Sequence, residues 1–198
     1  MRKNTSEHGV SGFSVLELLI VIGIVLVVAA MTMVQIQPTL QAARVNNAQT
    51  LVLAQLRTAR ERAIDRRQVE RITFTAPQAI LIEERVPGAG GNVWNQVLTI
   101  SLPNDLQFLT INGIPATPAT VPDGFGAGNL AIDFAGGTAL YFQPDGSSQD
   151  VNGVTLSGVV YIARPGELSS SRALTVIGST GRIRAYRLVT VAGNPTWQ

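Results

Sequence analysis

The sequence predicts an α+β fold: a long N-terminal α-helix, its first half membrane-spanning, packed on a mostly antiparallel β-sheet globular domain. Three observations predict it. Residues 13–34 read FSVLELLIVIGIVLVVAAMTMV, an apolar stretch of 22 residues, and about 20 helical residues cross a bilayer core. Val45, Ala48, Val52, Leu56, Ala59 and Ala63 then recur at spacings of three and four, the stripe of an amphipathic helix. From Val69 the spacing changes to the two-residue period of strands, punctuated by many of the chain's 19 Gly and 10 Pro.

The membrane segment follows from charge as well as length. Arg2 and Lys3 precede it, which fits a cytoplasmic N-terminus. Glu17 is the one charge inside it. A carboxylate at that depth costs about 2.5–3.5 kcal/mol on insertion scales, so it is either a functional residue or one that reaches the headgroups. Pro38 follows, and a proline costs about 3 kcal/mol in a helix interior, so a kink or break is expected there. The helix resumes and ends near Arg67. Arg57, Arg60, Glu61, Arg62, Asp65, Arg66 and Arg67 decorate its end as a solvated face that suits a helix C-terminus.

Strands are expected at 69–75, 79–86, 93–102, 106–111, 130–134, 139–143, 154–163, 172–178 and 182–189. Gly88, Gly90, Gly91 and Asn92 read as a hairpin loop. The Pro- and Gly-rich stretch 112–129 reads as a long surface loop, and Ser169–Ser171 as a loop tip. Trp94 and Trp197 read as packing or terminal anchors.

Composition removes most catalytic classes. Charged residues are 14% of the 198, there is no Cys, and the only His is His8. Disulfides, thiolate metal sites and cysteine nucleophiles are excluded, and a form lacking His8 has no Ser-His-Asp triad. Glu83 and Glu84 are consecutive, so on a strand they point to opposite faces and make a poor acid/base pair. Asp145, Gly146, Ser147 and Asp150 do not match a calcium loop and read as a hydrogen-bonded turn. The expectation is a protein without cofactor or metal that is not an enzyme.

One N-terminal string is specific. A secretory signal places its small-residue cleavage site after the apolar core. Here Gly12 comes before it, then Phe13, with Glu17 four residues on. GFSVLELLIVI, residues 12–22, resembles the class III signal of type IV pilins and type II secretion pseudopilins. The resemblance implies cleavage between Gly12 and Phe13 by a prepilin peptidase and N-methylation of Phe13. It gives Glu17 the role of pairing with a neighbouring subunit's terminal amine during assembly, which is sound physically, because a buried carboxylate needs a partner. The organisation implied is a leader over 1–12, a transmembrane and assembly helix over 13–37, an amphipathic half over 38–68, and a β-rich domain over 69–198. The implied partners are other pilins or pseudopilins in a filament, the peptidase, an inner-membrane assembly platform and the lipid bilayer. The globular domain would lie in the periplasm of a bacterium.

The C-terminal third adds FQPDGSS at 142–148 and GSTGRI at 178–183, which resemble the GspH/FimT pseudopilin domain and its pilin-like fold. Charge is uneven: residues 151–198 hold five Arg and one acid, whereas 72–150 hold one Arg and seven acids. On a strand, Arg182, Arg184 and Tyr186 share one face, with Ile183 and Ala185 inward. Guanidiniums about 7 Å apart approximate the spacing of phosphates on one DNA strand, and Tyr186 is placed to stack on a base. Arg187 has the opposite parity. The string also resembles the G-R-x-R motif of DNA-binding FimT-type minor pilins, which implies DNA contacts for Arg182 and Arg184, with Arg187 a neighbour. The alternative is an edge strand charged against aggregation. Two readings therefore stand: a structural minor pseudopilin, or a DNA-binding minor pilin for DNA uptake. A membrane-anchored enzyme leaves the Gly12–Phe13 signal unexplained.

Overall fold

The computed structural model describes residues 13–88 and 90–198, so the leader, Gly12 and His8 lie outside the described residues. Helix α1 is Val15–Arg66. The strands are β1 Glu70–Thr75, β2 Ala79–Gly88, β3 Gly91–Ser101, β4 Gln107–Phe108, β5 Ile132–Asp133, β6 Ala139–Phe142, β7 Ser148–Gln149, β8 Gly158–Arg164, β9 Glu167–Ile177, β10 Arg182–Val191 and β11 Asn194–Trp197. The chain divides into two units, one up to Gln41 and one from Ala42 to Gln198.

In the first unit every residue from Phe13 to Met33 is exposed, and α1 there is long and apolar enough to cross a membrane. Thr32, the polar interruption, donates its hydroxyl to the Val28 carbonyl at 2.8 Å, so it presents no free donor to lipid. The break expected at Pro38 does not occur: α1 runs through it. One missing backbone donor costs less than ending and restarting a helix, which orphans four groups at each new terminus.

In the second unit the remainder of α1 is the spine of the core. All six stripe residues, Val45, Ala48, Val52, Leu56, Ala59 and Ala63, are buried. They pack against Ile72, Phe74, Ile80, Ile82, Leu140 and Phe142 from one sheet and Ile162, Leu174, Val176 and Ile183 from the other. The first sheet is five-stranded, in the order β3-β2-β1-β6-β7. The second runs β11-β10-β9-β8-β4, and β5 also pairs with β8. Every pairing is antiparallel.

Three expectations are corrected. Ser169–Ser171 is part of β9, not a loop tip, and Ser170 and Ser171 are buried. The turn lies earlier, between Arg164 and Glu167, and Ser170 Oγ holds its ends together by accepting from Arg164 N at 2.8 Å and donating to Glu167 O at 2.6 Å. The 112–129 loop is not merely a surface segment: Ile114 and Phe125 join Val159, Tyr161, Ala173 and Leu188 in a second apolar cluster. The arginine-rich end of α1 is not a purely solvated face. Arg62 lies 3.4 Å from Glu70 and 3.5 Å from Glu84, and Arg66 lies 2.7 Å from Glu84. Glu70 and Glu84 are directly opposed on β1 and β2, so both carboxyl groups face the helix cations. Burial pushes the Glu70 carboxyl up to about 7, with Arg62 opposing and Glu84 adding to the effect.

Candidate assembly and binding sites

At the start of α1, Phe13 is 82% exposed. Ser14 caps the helix: its Oγ accepts from Leu16 N at 3.3 Å. Ser14 and Glu17 have the S-x-x-E spacing of a capping box, and Glu17 lies in the first turn of the helix, where the dipole favours an anion. Glu17 therefore has a local stabilising position. That position is visible in the sequence as Ser14 three residues before Glu17.

On β10, Arg184 and Tyr186 do share a face, but they converge on a residue that sequence reasoning missed. Asp123, in the short turn Pro122–Gly124 within the long loop, accepts from Arg184 Nη1 at 2.6 Å and from Tyr186 Oη at 2.8 Å. The Thr175 hydroxyl on β9, opposite Arg184 in the ladder, completes the cluster through the other carboxylate oxygen. Burial tends to raise the Asp123 carboxyl, but the hydrogen bonds from Thr175, Tyr186 and Arg184 outweigh it and hold the group below the usual carboxylate range. Arg184 is thus an ion-paired residue that ties the loop to the sheet. Arg182 and Arg187 are exposed and have no ion pair among the described residues. Arg187 lies opposite Arg172, which turns to α1 and donates to the Asn46 side-chain oxygen at 3.0 Å, so Arg187 stands on the side of the sheet away from Arg184 and Tyr186. Ala185, expected inward, is exposed. It has the parity of Ile183 but joins neither apolar cluster.

A second convergence joins the two C-terminal motifs. The Arg60 guanidinium of α1 donates to Gly146 O at 3.0 Å and to Thr180 O at 2.9 Å. It clips the PDG turn after β6 to the β9–β10 turn. The approach is so close that a Cβ on Gly181, whose φ is +59°, would sit 1.9 Å from Gly146 O and 2.7 Å from Arg60 Nε. Glycine is therefore required there by both space and backbone. Beside the clip, Arg57, Arg60, Glu61 and Arg182 line an open groove of about 470 Å³. The Asp145 carboxylate accepts from Ser147 N at 2.8 Å, and Asp150 from Asn152 N and Val154 N at 2.8 Å; both act as turn formers. Trp94 packs under the Arg71 guanidinium at 4.4 Å and Trp197 against Tyr161 at 5.7 Å, as anchors.

Residues 48–181, more than half of the chain, match the family model described as type II transport protein GspH. The chain belongs to the GspH family. The matched segment takes in Arg60, Asp123, Gly146 and Gly181, while Gly12, Phe13, Glu17, Arg182, Arg184 and Arg187 lie outside it. No curated protein sequence matches the chain. Among solved structures, it is similar to the minor pseudopilin EpsH of the type 2 secretion system of Vibrio cholerae, at 12% identity over 73% of this chain and 97% of that one, TM-score 0.48. It is also similar to the type IV minor pilin FimU of Pseudomonas aeruginosa PAO1, at 16% identity over 71% of this chain and 86% of that one, TM-score 0.46. The GspH family comprises minor pilin-like subunits, structural components and not enzymes. Its assembly with other pilins accords with the apolar half of α1, which suits a membrane anchor.

Proposed function

We propose that this GspH-family chain is a minor subunit of a type II secretion pseudopilus or a type IV pilus. Prepilin peptidase cuts it between Gly12 and Phe13, Phe13 is N-methylated, and the new ammonium takes part in assembly. The chain is held in the inner membrane by residues 13–37, with its globular part in the periplasm. An assembly platform moves it into the filament. The observation that carries this reading is the continuous exposure of α1 from Phe13 to Met33. A helix apolar all round needs lipid or other apolar helices about it, and a filament core supplies the second environment in place of the first. Glu17 then gains the neighbouring subunit's terminal amine.

Two substitutions test the reading. Glu17→Gln keeps the capping box, which accepts Gln as well as Glu, and removes the charge; Glu17→Ala removes both. Both variants are expected to enter the membrane like the parent and to reach filaments at least tenfold less well. Normal incorporation of Glu17→Gln refutes the ionic role.

A DNA-binding role is the second reading, and the shared groove of Arg57 and Arg182 favours it. In this reading the exposed guanidinium of Arg182 contacts phosphates beside Arg57, Arg187 on the other side of the sheet takes no direct part, and Arg184 contributes less because Asp123 neutralises it. Binding of duplex DNA that weakens steeply with salt, and is lost in Arg182→Ala/Arg184→Ala, supports it. Binding untouched by the double substitution refutes it.

A further inference from the structure

We infer that the free edge of β3 is a docking strand, which receives an extended strand of another subunit of the same filament; this rests on the filament reading above. β3 ends the five-stranded sheet and, among the described residues, pairs only with β2. Its 11 residues extend about 35 Å at strand rise. Apart from the β2 ladder, Gly91–Ser101 makes no backbone hydrogen bond among the described residues. A row of amide and carbonyl groups therefore faces outward.

Proteins blunt such edges by shortness, charge, proline or cover. The other sheet ends follow that rule. β4 and β7 are two residues each, and β11 has four and contains Pro195. β3, GNVWNQVLTIS, has no charged residue and no proline. Nor is its inward side finished. Leu98 lies opposite the buried Ile82, and Val93 opposite Val86, yet they remain 40% and 50% exposed. A strand added along β3 would satisfy the backbone row and cover both side chains.

The chemistry of the edge sets the chemistry of its occupant. The inward-facing Val93 and Leu98 are half-exposed, and cross-strand neighbours lie within about 5.5 Å, so the strand beside them covers them only if its own inward residues are apolar. The occupant is therefore an extended segment with apolar residues on its inward face. In a filament of pilin-family subunits, the sheets of neighbouring subunits supply such segments, and strand addition is an established mode of protein recognition.

The test uses the full chain in filaments formed by its host. A photo-crosslinking residue is placed at Gln96 on β3 and, as a control, at Thr190 on β10. Leu98→Lys introduces an inward charge on the edge. The Gln96 probe is expected to give a discrete adduct with another pilin-family subunit, to outdo the Thr190 probe, and to lose at least tenfold of its yield in Leu98→Lys. The thermal midpoint of the purified variant should match the parent. Incorporated chain that gives no Gln96 adduct, or an adduct indifferent to Leu98→Lys in a folded variant, overturns the inference and leaves the filament reading standing. Chain absent from filaments altogether overturns both. Should Leu98→Lys prove unfolded, Thr99→Lys on the outward side carries the same test.

Discussion

Glu70 gives the chain a stability that should fall as the medium turns from acid to neutral. Its carboxyl is completely buried and neither oxygen has a hydrogen-bond partner. Folding raises it from an ordinary 4.5 to about 7, first by burial and further by Glu84, against the opposing Arg62. A carboxyl raised in the folded state holds its proton more tightly there than in the unfolded chain. Between pH 4.5 and 7 the folded form therefore carries the extra proton, and stability is lost as pH rises through that window. Each pH unit is worth about 1.4 kcal/mol, so the full loss is about 3 kcal/mol, complete above pH 7. Urea unfolding of the full chain in detergent micelles, followed by tryptophan fluorescence at pH 5, 6, 7 and 8, measures it. The parent midpoint should fall across the series, whereas Glu70→Gln, which cannot ionise, should be nearly level. A parent midpoint that is flat or rises, or an equal slope in Glu70→Gln, refutes the assignment of a neutral buried carboxyl.

Two further outcomes follow from the clip and the loop anchor. Gly181→Ala should cost about 3 kcal/mol, combining a clash with Gly146 O and a left-handed backbone. Gly166→Ala, also at positive φ but with open space around it, should cost only about 1 kcal/mol; equal losses in the urea midpoint would refute the close approach. Asp123→Asn should destabilise the chain by about 2 kcal/mol through weakened hydrogen bonds and free Arg184. If the DNA reading holds, a filter-binding titration at low salt should then show tighter binding than the parent, and weaker binding counts against it.

The helix stripe and most strands were legible because each is a local pattern. Val45 to Ala63 repeats with the helix, and Ile72, Phe74, Ile80 and Ile82 alternate with the strand, so period alone places them. β7 and β11 escaped because two residues at Ser148–Gln149 and a proline-bearing Asn194–Trp197 hold no period to count. Asp123 escaped for a different reason. It stands in a Pro- and Gly-rich loop, and its meaning comes from Thr175, Arg184 and Tyr186, some 50 to 60 residues away. The two C-terminal motifs were legible as turns, but their junction was not, because the residue that joins them, Arg60, looks like any exposed helix cation. Ala185 shows the limit of parity: alternation says which way a side chain points, and only the packing says whether anything lies there.

The Asp123 cluster also bears on how freely the middle of the chain can change. The segment between β4 and β5 is long, and a free loop pays a closure entropy that grows with its length. Fastened at Asp123, it behaves as two shorter spans, each closed independently on the same sheet. Away from the packed Ile114, Val121 and Phe125, residues can be inserted, deleted or exchanged within one span without lengthening the other. One carboxylate thus separates the length of a loop from the geometry of the sheet beneath it, so a change in one span is absorbed where it is made.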